Sequence, residues 1–158
     1  MTAKASAILC LNAGSSSLKF AVYEHKAAAA ESRLVAGAVE RIGLKEGRFR
    51  LNDGDTAATE TAGEYPDHGT AVHAVFDALE RRGLSAPDAV GHRLVHGGPL
   101  HREPERVDAR LLEALKALVP FAPLHLPAEL EAIEAVARRF PHLPQVVCFD
   151  TAFHRDLP

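Results

Sequence analysis

The sequence carries no excess of positive charge, no long hydrophobic run and few cysteines. Its 158 residues have a formal net charge of −3. This balance does not support nucleic-acid binding, because nucleic-acid-binding domains usually show a basic excess. No apolar run reaches the roughly 20 residues that a membrane-spanning helix needs. The first four residues lead directly into a strand-like run, without the apolar core and cleavage site of a signal peptide. We therefore expect a cytoplasmic protein with neither nucleic-acid nor membrane partners.

The two cysteines, Cys10 and Cys148, each lie within an apolar, strand-like run. Free cysteine behaves as a small hydrophobic residue, and disulfides are rare in cytoplasmic proteins. The sequence therefore predicts two reduced, buried side chains rather than a disulfide.

What the chain does contain is an ordinary globular composition, with 47% hydrophobic and 25% charged residues. Its length is sufficient for one domain with a substantial core. The apolar pattern predicts strands at residues 7–11, 20–23, 33–42, 48–51, 90–96 and 145–149, with a polar loop at 52–67. Helical spacing predicts helices at 72–79, at 108–119 and from Pro127 onward. A run of strands followed by alternating helices and strands predicts an α/β domain with a mixed β-sheet flanked by helices.

Residues 12–19 (Asn-Ala-Gly-Ser-Ser-Ser-Leu-Lys) stand between the first two predicted strands. Gly14 tolerates backbone angles that other residues avoid. The serine hydroxyls, the backbone N–H groups and Lys19 together suit a phosphate. A plain hairpin turn is the alternative, since glycine and serine are common in turns. The spacing differs from that of a Walker-type loop, which must also open a helix.

Residues 91–98 (Gly-His-Arg-Leu-Val-His-Gly-Gly) place Arg93 and Val95 on one face of a predicted strand, and His92 and His96 on the other. A guanidinium beside a valine could seat a small carboxylate with an apolar tail. The alternative is an arginine paired with a structural acid. His92 and His96 have the spacing of a helical zinc pair, but this segment reads as a strand. We therefore interpret both as core histidines.

Two further positions combine a special backbone site with a chemically useful side chain. His125 stands between Pro123 and Pro127 just before a predicted helix, where it could contact a ligand or only brace the turn. Asp150 follows the last predicted strand, at the carboxyl end where α/β sheets place ligands. It could orient magnesium or a nucleophile, or it could cap a helix.

Four motifs together resemble the N-terminal half of the acetate kinases, the acetokinase family within the acetate and sugar kinase, Hsp70 and actin superfamily. They are residues 12–19, 91–98, 123–125 (Pro-Leu-His) and 149–154 (Phe-Asp-Thr-Ala-Phe-His). Their order and spacing extend the resemblance over essentially the whole chain. It implies a ribonuclease H-like, or actin-like ATPase, domain.

The resemblance also implies a reaction, the phosphoryl transfer between ATP and acetate that gives acetyl phosphate and ADP. It implies the following roles: Asn12 near magnesium; Ser15, Ser17 and Lys19 on the phosphates of ATP; Arg93 on the carboxylate or acyl phosphate; Val95 and Leu124 around the acetyl methyl group; His125 on the transferring phosphoryl group; Asp150 as the acidic catalytic residue. In-line transfer of this kind depends on positioning and charge neutralisation.

By the same resemblance, residues 1–158 are the N-terminal domain, and a C-terminal nucleotide-binding half would lie outside this chain. We expect the parent protein to be a homodimer and this half to be inactive by itself. Two alternatives are a propionate or butyrate kinase half, and a stand-alone anion-binding domain without catalytic activity.

Overall fold

The computed structural model describes residues 5–27, 29–54, 57–84 and 86–153. The strands in this part of the chain are β1 (Ser6–Ala13), β2 (Ser17–His25), β3 (Ser32–Glu40), β4 (Gly47–Asn52), β5 (Thr59–Gly63), β6 (Ala89–Leu94), β7 (Glu105–Arg106) and β8 (Gln145–Phe149). The helices are α1 (His68–Arg81), α2 (Ala109–Ala117), α3 (Leu126–Arg139) and the short α4 (Asp150–Phe153), with a 3-10 helix at Val119–Phe121.

The strands form one mixed sheet in the order β5-β4-β3-β2-β1-β6-β8-β7. Strands β1 to β5 are successive antiparallel neighbours, whereas β1, β6 and β8 run parallel to one another. The carboxyl ends of these three parallel strands consequently meet at one edge of the sheet. The predicted mixed sheet is confirmed.

The three longer helices pack on the same face of the sheet. Strand residues Leu9, Leu11 and Val90 share one core cluster with α1 and with the alanines of α3. A second cluster joins Leu94 and Phe149 to the leucines of α2 and to other residues of α3. This burial of apolar strand and helix faces is the main source of stability. Within the described residues, the opposite face of the central strands carries no helix.

This one-sided packing overturns the prediction for the cysteines. Cys10 and Cys148 are free thiols, but both are exposed. Because side chains alternate along a strand, Cys10 points away from the buried neighbours Leu9 and Leu11. Cys148 does the same between its own buried neighbours on β8.

The helix boundaries follow local signals in the sequence. The side chain of Asp67 accepts a hydrogen bond from Thr70 N at 2.6 Å and caps α1. Asp108 caps α2 in the same way, accepting from Leu111 N at 2.7 Å. Gly83, with φ of 72°, follows the end of α1 in a left-handed conformation. The predicted positions of all three helices are confirmed. Among the helices described, none has the length and apolar character needed to cross a membrane.

The structure differs from the strand predictions at three places. Strand β5 lies in the segment predicted as a polar loop, since it is an exposed edge strand without apolar alternation. The two-residue β7 carries no sequence signal of its own. Strand β6 ends at Leu94 rather than at His96, so Val95 lies beyond the strand. Residues 1–4, residues 55 and 56 of the predicted polar loop, and His154 of the fourth motif lie outside the described residues.

Candidate active site

The carboxyl ends of the parallel strands bring together three polar side chains that lie far apart in the sequence. Asn12 near the end of β1 is the register partner of Arg93 on β6. Asp150 directly follows β8 and begins α4. Ligands of α/β sheets commonly bind at this edge, as the sequence analysis expected for Asp150.

Arg93 holds these side chains together by hydrogen bonds. Its Nε donates to Oδ1 of Asp150 at 2.8 Å, its Nη2 donates to Oδ2 of the same carboxylate, and its Nη1 donates to Oδ1 of Asn12 at 3.2 Å. The hydrogen bond to Asp150 raises the pKa of Arg93 above its ordinary value. The cluster is partly open to solvent, since the side chain of Arg93 is 49% exposed.

The structure combines the two interpretations of Arg93, as a residue that binds a carboxylate and as the partner of an acidic side chain. The arginine is paired with an acid, and that acid is the other candidate catalytic residue, Asp150. Both Asp150 oxygens face Arg93. A guanidinium has five N–H donors, and the bonds described here use three of them. Within the described part of the chain, two N–H donors of the Arg93 guanidinium therefore remain available to bind a ligand.

The turn between β1 and β2 is fixed from several sides. Gly14 N donates to the carbonyl oxygen of Ser17 at 2.8 Å, and Ile42 N donates to that of Ser16 at 2.9 Å. The buried His68, at the start of α1, places its Nε2 2.7 Å from the carbonyl oxygen of Gly14. Gly14 does not adopt a positive φ. A Cβ there would lie 3.0 Å from Ser17 Oγ, so close packing rather than an unusual backbone angle favours glycine.

Positively charged side chains and backbone N–H donors lie at the same edge of the sheet. Ser15 is exposed on the turn and Ser17 is half-buried. Lys19 is exposed and is the register partner of Asn12, so it extends from the same sheet face as Arg93. Helices α1 and α3 both begin here, and a helix N-terminus carries a partial positive charge. The edge can thus attract an anion, although the hairpin-turn interpretation of residues 12–19 stays open.

Glu129, which the sequence analysis did not identify, lies directly behind this edge. It is 2% exposed, and its Oε1 accepts a hydrogen bond from Val95 N at 3.0 Å. Its Oε2 is buried without a hydrogen-bond partner. Burial raises the pKa of Glu129 to about 7. The sequence did contain a signal for the burial of Glu129, because this residue lies three residues after Leu126 and four before Ile133, on the apolar face of α3.

The predicted acyl pocket is only partly assembled. Val95 and Asp150 line an open hollow of about 730 Å³, together with Arg102. Leu124 is 74% exposed and does not line this hollow. His125 is exposed at the N-cap position of α3 and makes no side-chain capping hydrogen bond. The structure therefore does not bring Leu124 or His125 into the Arg93 cluster.

The histidines of residues 91–98 have separate environments. His92 is 3% exposed, and its Nε2 lies 2.7 Å from Oε1 of Gln145. Burial lowers the pKa of His92 to about 4, so the ring is neutral near pH 7. The core position predicted for His92 is confirmed. His96 is half-buried, and its Nδ1 accepts from Gly98 N at 2.8 Å. Across the described residues, no group of three or more His, Cys, Asp or Glu side chains is arranged to hold a metal ion.

Comparison with known proteins settles the family. Residues 7–158 match the Acetokinase family. This chain is a member of the acetokinase family. It is 43% identical to the acetate kinase of Streptomyces coelicolor over 158 residues, an alignment that covers 96% of this chain and 38% of that protein. It is 44% identical to the acetate kinase of Pseudarthrobacter chlorophenolicus, covering 96% of this chain and 36% of the relative.

Solved structures of the acetokinase family agree. The acetate kinase of Porphyromonas gingivalis superposes with a TM-score of 0.87 at 32% identity, covering 97% of this chain and 39% of that one. A propionate kinase from Francisella tularensis gives a TM-score of 0.85 at 36% identity, with coverages of 97% and 39%. The predicted fold class, an α/β domain of the actin-like ATPase type, is confirmed. This acetokinase-family chain spans less than two-fifths of the length of these relatives.

Proposed function

We propose that this chain forms the N-terminal domain of an acetate kinase, an enzyme that transfers a phosphoryl group between ATP and acetate to give acetyl phosphate and ADP. The observation that carries the proposal is the Arg93–Asp150–Asn12 cluster at the carboxyl ends of the parallel strands. Membership of the acetokinase family supplies the reaction class.

Arg93 is the residue that binds the carboxylate or the acyl phosphate. Asp150 holds the guanidinium by two hydrogen bonds, and the two remaining N–H donors can meet a pair of anionic oxygens. The transferring phosphoryl group carries negative charge spread over its oxygens, so fixed positive charge lowers the barrier to transfer. Asp150 also prevents the guanidinium from turning away when no substrate is bound.

The turn and its neighbours bind the ATP phosphates. Ser15 and Ser17 contribute hydroxyl groups, and Lys19 contributes a point charge. The hydrogen bonds that fix Gly14 preorganise this turn. Preorganised donors stabilise developing charge without a cost of reorganisation during the reaction.

Val95 and Leu124 contact the acetyl methyl group, and His125 binds the transferring phosphoryl group. Leu124 and His125 are exposed in this chain, so their roles require closure against further protein. We infer that a C-terminal nucleotide-binding half completes the enzyme, and that the complete enzyme is a cytoplasmic homodimer.

Magnesium fits the donor chemistry of the site. Mg²⁺ prefers oxygen ligands and usually keeps several waters beside one or two protein groups. Asn12 offers Oδ1 at the edge of the cluster, where it now accepts from Arg93. When bound, Mg²⁺ neutralises charge on the phosphate oxygens. Asn12 would hold the ion through its Oδ1.

A chimera tests the proposed function. Residues 1–158 replace the matching segment of the Streptomyces coelicolor acetate kinase; we call this protein the chimera. We expect acetate-dependent release of ADP in a coupled assay, and parallel assays with propionate and butyrate define the acyl-chain preference. A folded chimera without activity towards any of these carboxylates would contradict the proposal. The unaltered Streptomyces coelicolor enzyme is the positive control.

A further inference from the structure

The carboxyl group of Glu129 is an unusual feature beside the proposed acetate site. Glu129 belongs to the first turn of α3, yet it is 2% exposed. Its Oε1 accepts one hydrogen bond, from Val95 N at the end of β6. Its Oε2 is buried, with no partner among the described residues. A buried carboxylate normally has both oxygens satisfied, so this group is poorly stabilised as an anion.

The charges that face Glu129 are those of the proposed site. Arg93 of β6 favours its ionised form and Asp150 of α4 opposes it. Three titratable side chains on elements packed against α3 are paired with groups other than Glu129: His92 of β6 with Gln145, His68 of α1 with Gly14, and Lys116 of α2 with Glu134. Arg93 and Asp150 are therefore the charges that act on Glu129.

Acetate bound to Arg93 would add a negative charge to a region that already holds Asp150 and Glu129. Arg93 can neutralise only one of these anions, and like charges in a poorly solvated place oppose one another strongly. Asp150 is held in its ionised form by two hydrogen bonds from Arg93. Glu129 lacks such support, so it is the group whose charge can most readily be removed.

We propose that Glu129 is a positioning residue that takes up a proton when acetate binds at Arg93, so that the acetate-bound protein holds Glu129 as a neutral carboxylic acid. This inference rests on the proposed function. The proton adds to Oε2, the oxygen without a partner, and Oε1 still accepts from Val95 N. The end of β6 thus stays in place in both protonation states, while the net charge beside Arg93 changes by one.

The direction of the pH dependence follows. Burial places the pKa of Glu129 at about 7 in the free protein, and a neighbouring acetate raises it further. Below pH 7 the proton is already present and acetate binds without an added cost. Above pH 7 binding requires proton uptake, so the affinity for acetate falls as the pH rises.

The test compares Glu129→Gln with the parent chimera. We expect the parent's KM for acetate to rise about fivefold between pH 6 and pH 8, which corresponds to a displacement of the Glu129 pKa by about one unit when acetate binds. Glutamine keeps an acceptor for Val95 N but cannot ionise, so we expect this rise to shrink to less than twofold. Glu134→Gln on α3 removes the same charge from a residue paired with Lys116, and it should retain the parent's slope. Calorimetry in two buffers of different ionisation enthalpy should show proton uptake by the parent but not by Glu129→Gln.

Two results would overturn the inference. The first is an acetate KM in Glu129→Gln that rises with pH as in the parent. The second needs no activity: the side-chain carboxyl ¹³C resonance of Glu129, assigned by its loss in Glu129→Gln, titrates near the ordinary value for glutamate. A midpoint near 7 that moves upward with added acetate supports the inference. Absence of turnover in the parent would instead count against the proposed function, and the ¹³C titration would still decide the state of Glu129.

Discussion

His68 and Gly14 are joined by a short contact, with Nε2 of the buried ring 2.7 Å from the carbonyl oxygen. Because a carbonyl oxygen can only accept, Nε2 carries the proton. The first residue of α1 thereby holds the turn between β1 and β2, although 54 residues separate the two positions. The proposed phosphate-binding turn is therefore braced by the helix layer as well as by its own hairpin.

Replacing His68 should make the turn between β1 and β2 less rigid. We expect His68→Ala in the chimera to raise the KM for ATP severalfold, since loss of one buried hydrogen bond costs about 1–3 kcal/mol. The KM for acetate should change little. His73→Ala, at an exposed position of the same helix, is the matched control. Equal effects on both substrates would indicate a general loss of structure.

Substitution of Arg93 tests the anion site. Arg93→Ala in the chimera should weaken binding of acetate and acetyl phosphate and lower kcat, with a total loss of roughly 2–4 kcal/mol in transition-state stabilisation. Arg93→Lys should recover only part of this, because an ammonium cannot reproduce the planar fork. Steady-state kinetics in both directions provide the measurement. Wild-type kinetics in both variants would make Arg93 a structural residue.

Asp150→Asn separates catalysis from helix capping. If the carboxylate is catalytic, the chimera should lose at least ~100-fold in kcat, because the charge that holds Arg93 is lost while the shape is kept. Asparagine caps helices as well as aspartate does, so a mere cap would leave the rate unchanged. The thermal midpoint, measured on the same preparation, should stay close to that of the parent. A near-normal rate would remove Asp150 from the catalytic residues.

The isolated 158-residue chain should show no acetate-dependent ADP release above the blank. Correct alignment of reacting groups contributes about 7–11 kcal/mol in favourable cases, and the exposed Leu124 and His125 indicate that this chain alone does not enclose a substrate. The same coupled assay, run beside the chimera, gives the comparison. Robust turnover by the chain alone would show that it contains a complete active site.

Stability should depend on pH through two buried groups with opposite effects. The pKa of Glu129 rises from 4.5 to about 7 on folding, so its stabilising contribution is present below pH 4.5 and lost as the pH rises to 7. The pKa of His92 falls from 6.5 to about 4, so its contribution is present above pH 6.5 and lost as the pH falls to 4. Each shift corresponds to roughly 3 kcal/mol, and the two largely cancel between pH 4.5 and 6.5.

Single variants of the isolated chain should reveal each contribution. In Glu129→Gln only His92 acts, so the free energy of unfolding should rise with pH between 4.5 and 6.5. In His92→Gln only Glu129 acts, and the free energy of unfolding should fall over the same range. Urea titrations at several pH values provide the measurement. Parallel profiles for the two variants would contradict these assignments.

The helices were predictable from the sequence because their signals are local. Asp108 precedes leucines at helical spacing, and the structure has a capped helix with Leu111 and Leu115 buried at that place. Strand β5 was missed because an exposed edge strand needs no apolar alternation. The cysteines were placed wrongly because β1 is apolar on both faces, so its sequence does not show which face the helices cover.

The sequence predicted which residues belong to the site better than it predicted which residues they contact. Arg93 and Asp150 were both identified, but their ion pair depends on the register between β6 and β8, which no local pattern specifies. Glu129 was missed because a charged residue on a helix is normally assigned to the solvated face. The exposure of Leu124 could not be read from its apolar character.

The hydrogen bonds of the Arg93 cluster span 57 and 81 residues. Each closes a long loop of chain, and long-range pairing of parallel strands is slow because loop entropy is lost before the contacts form. The cluster cannot exist until β1, β6 and β8 are aligned side by side. Anion binding at Arg93 should therefore be acquired in one late step of folding, and it should report the completion of the sheet more faithfully than helix content does.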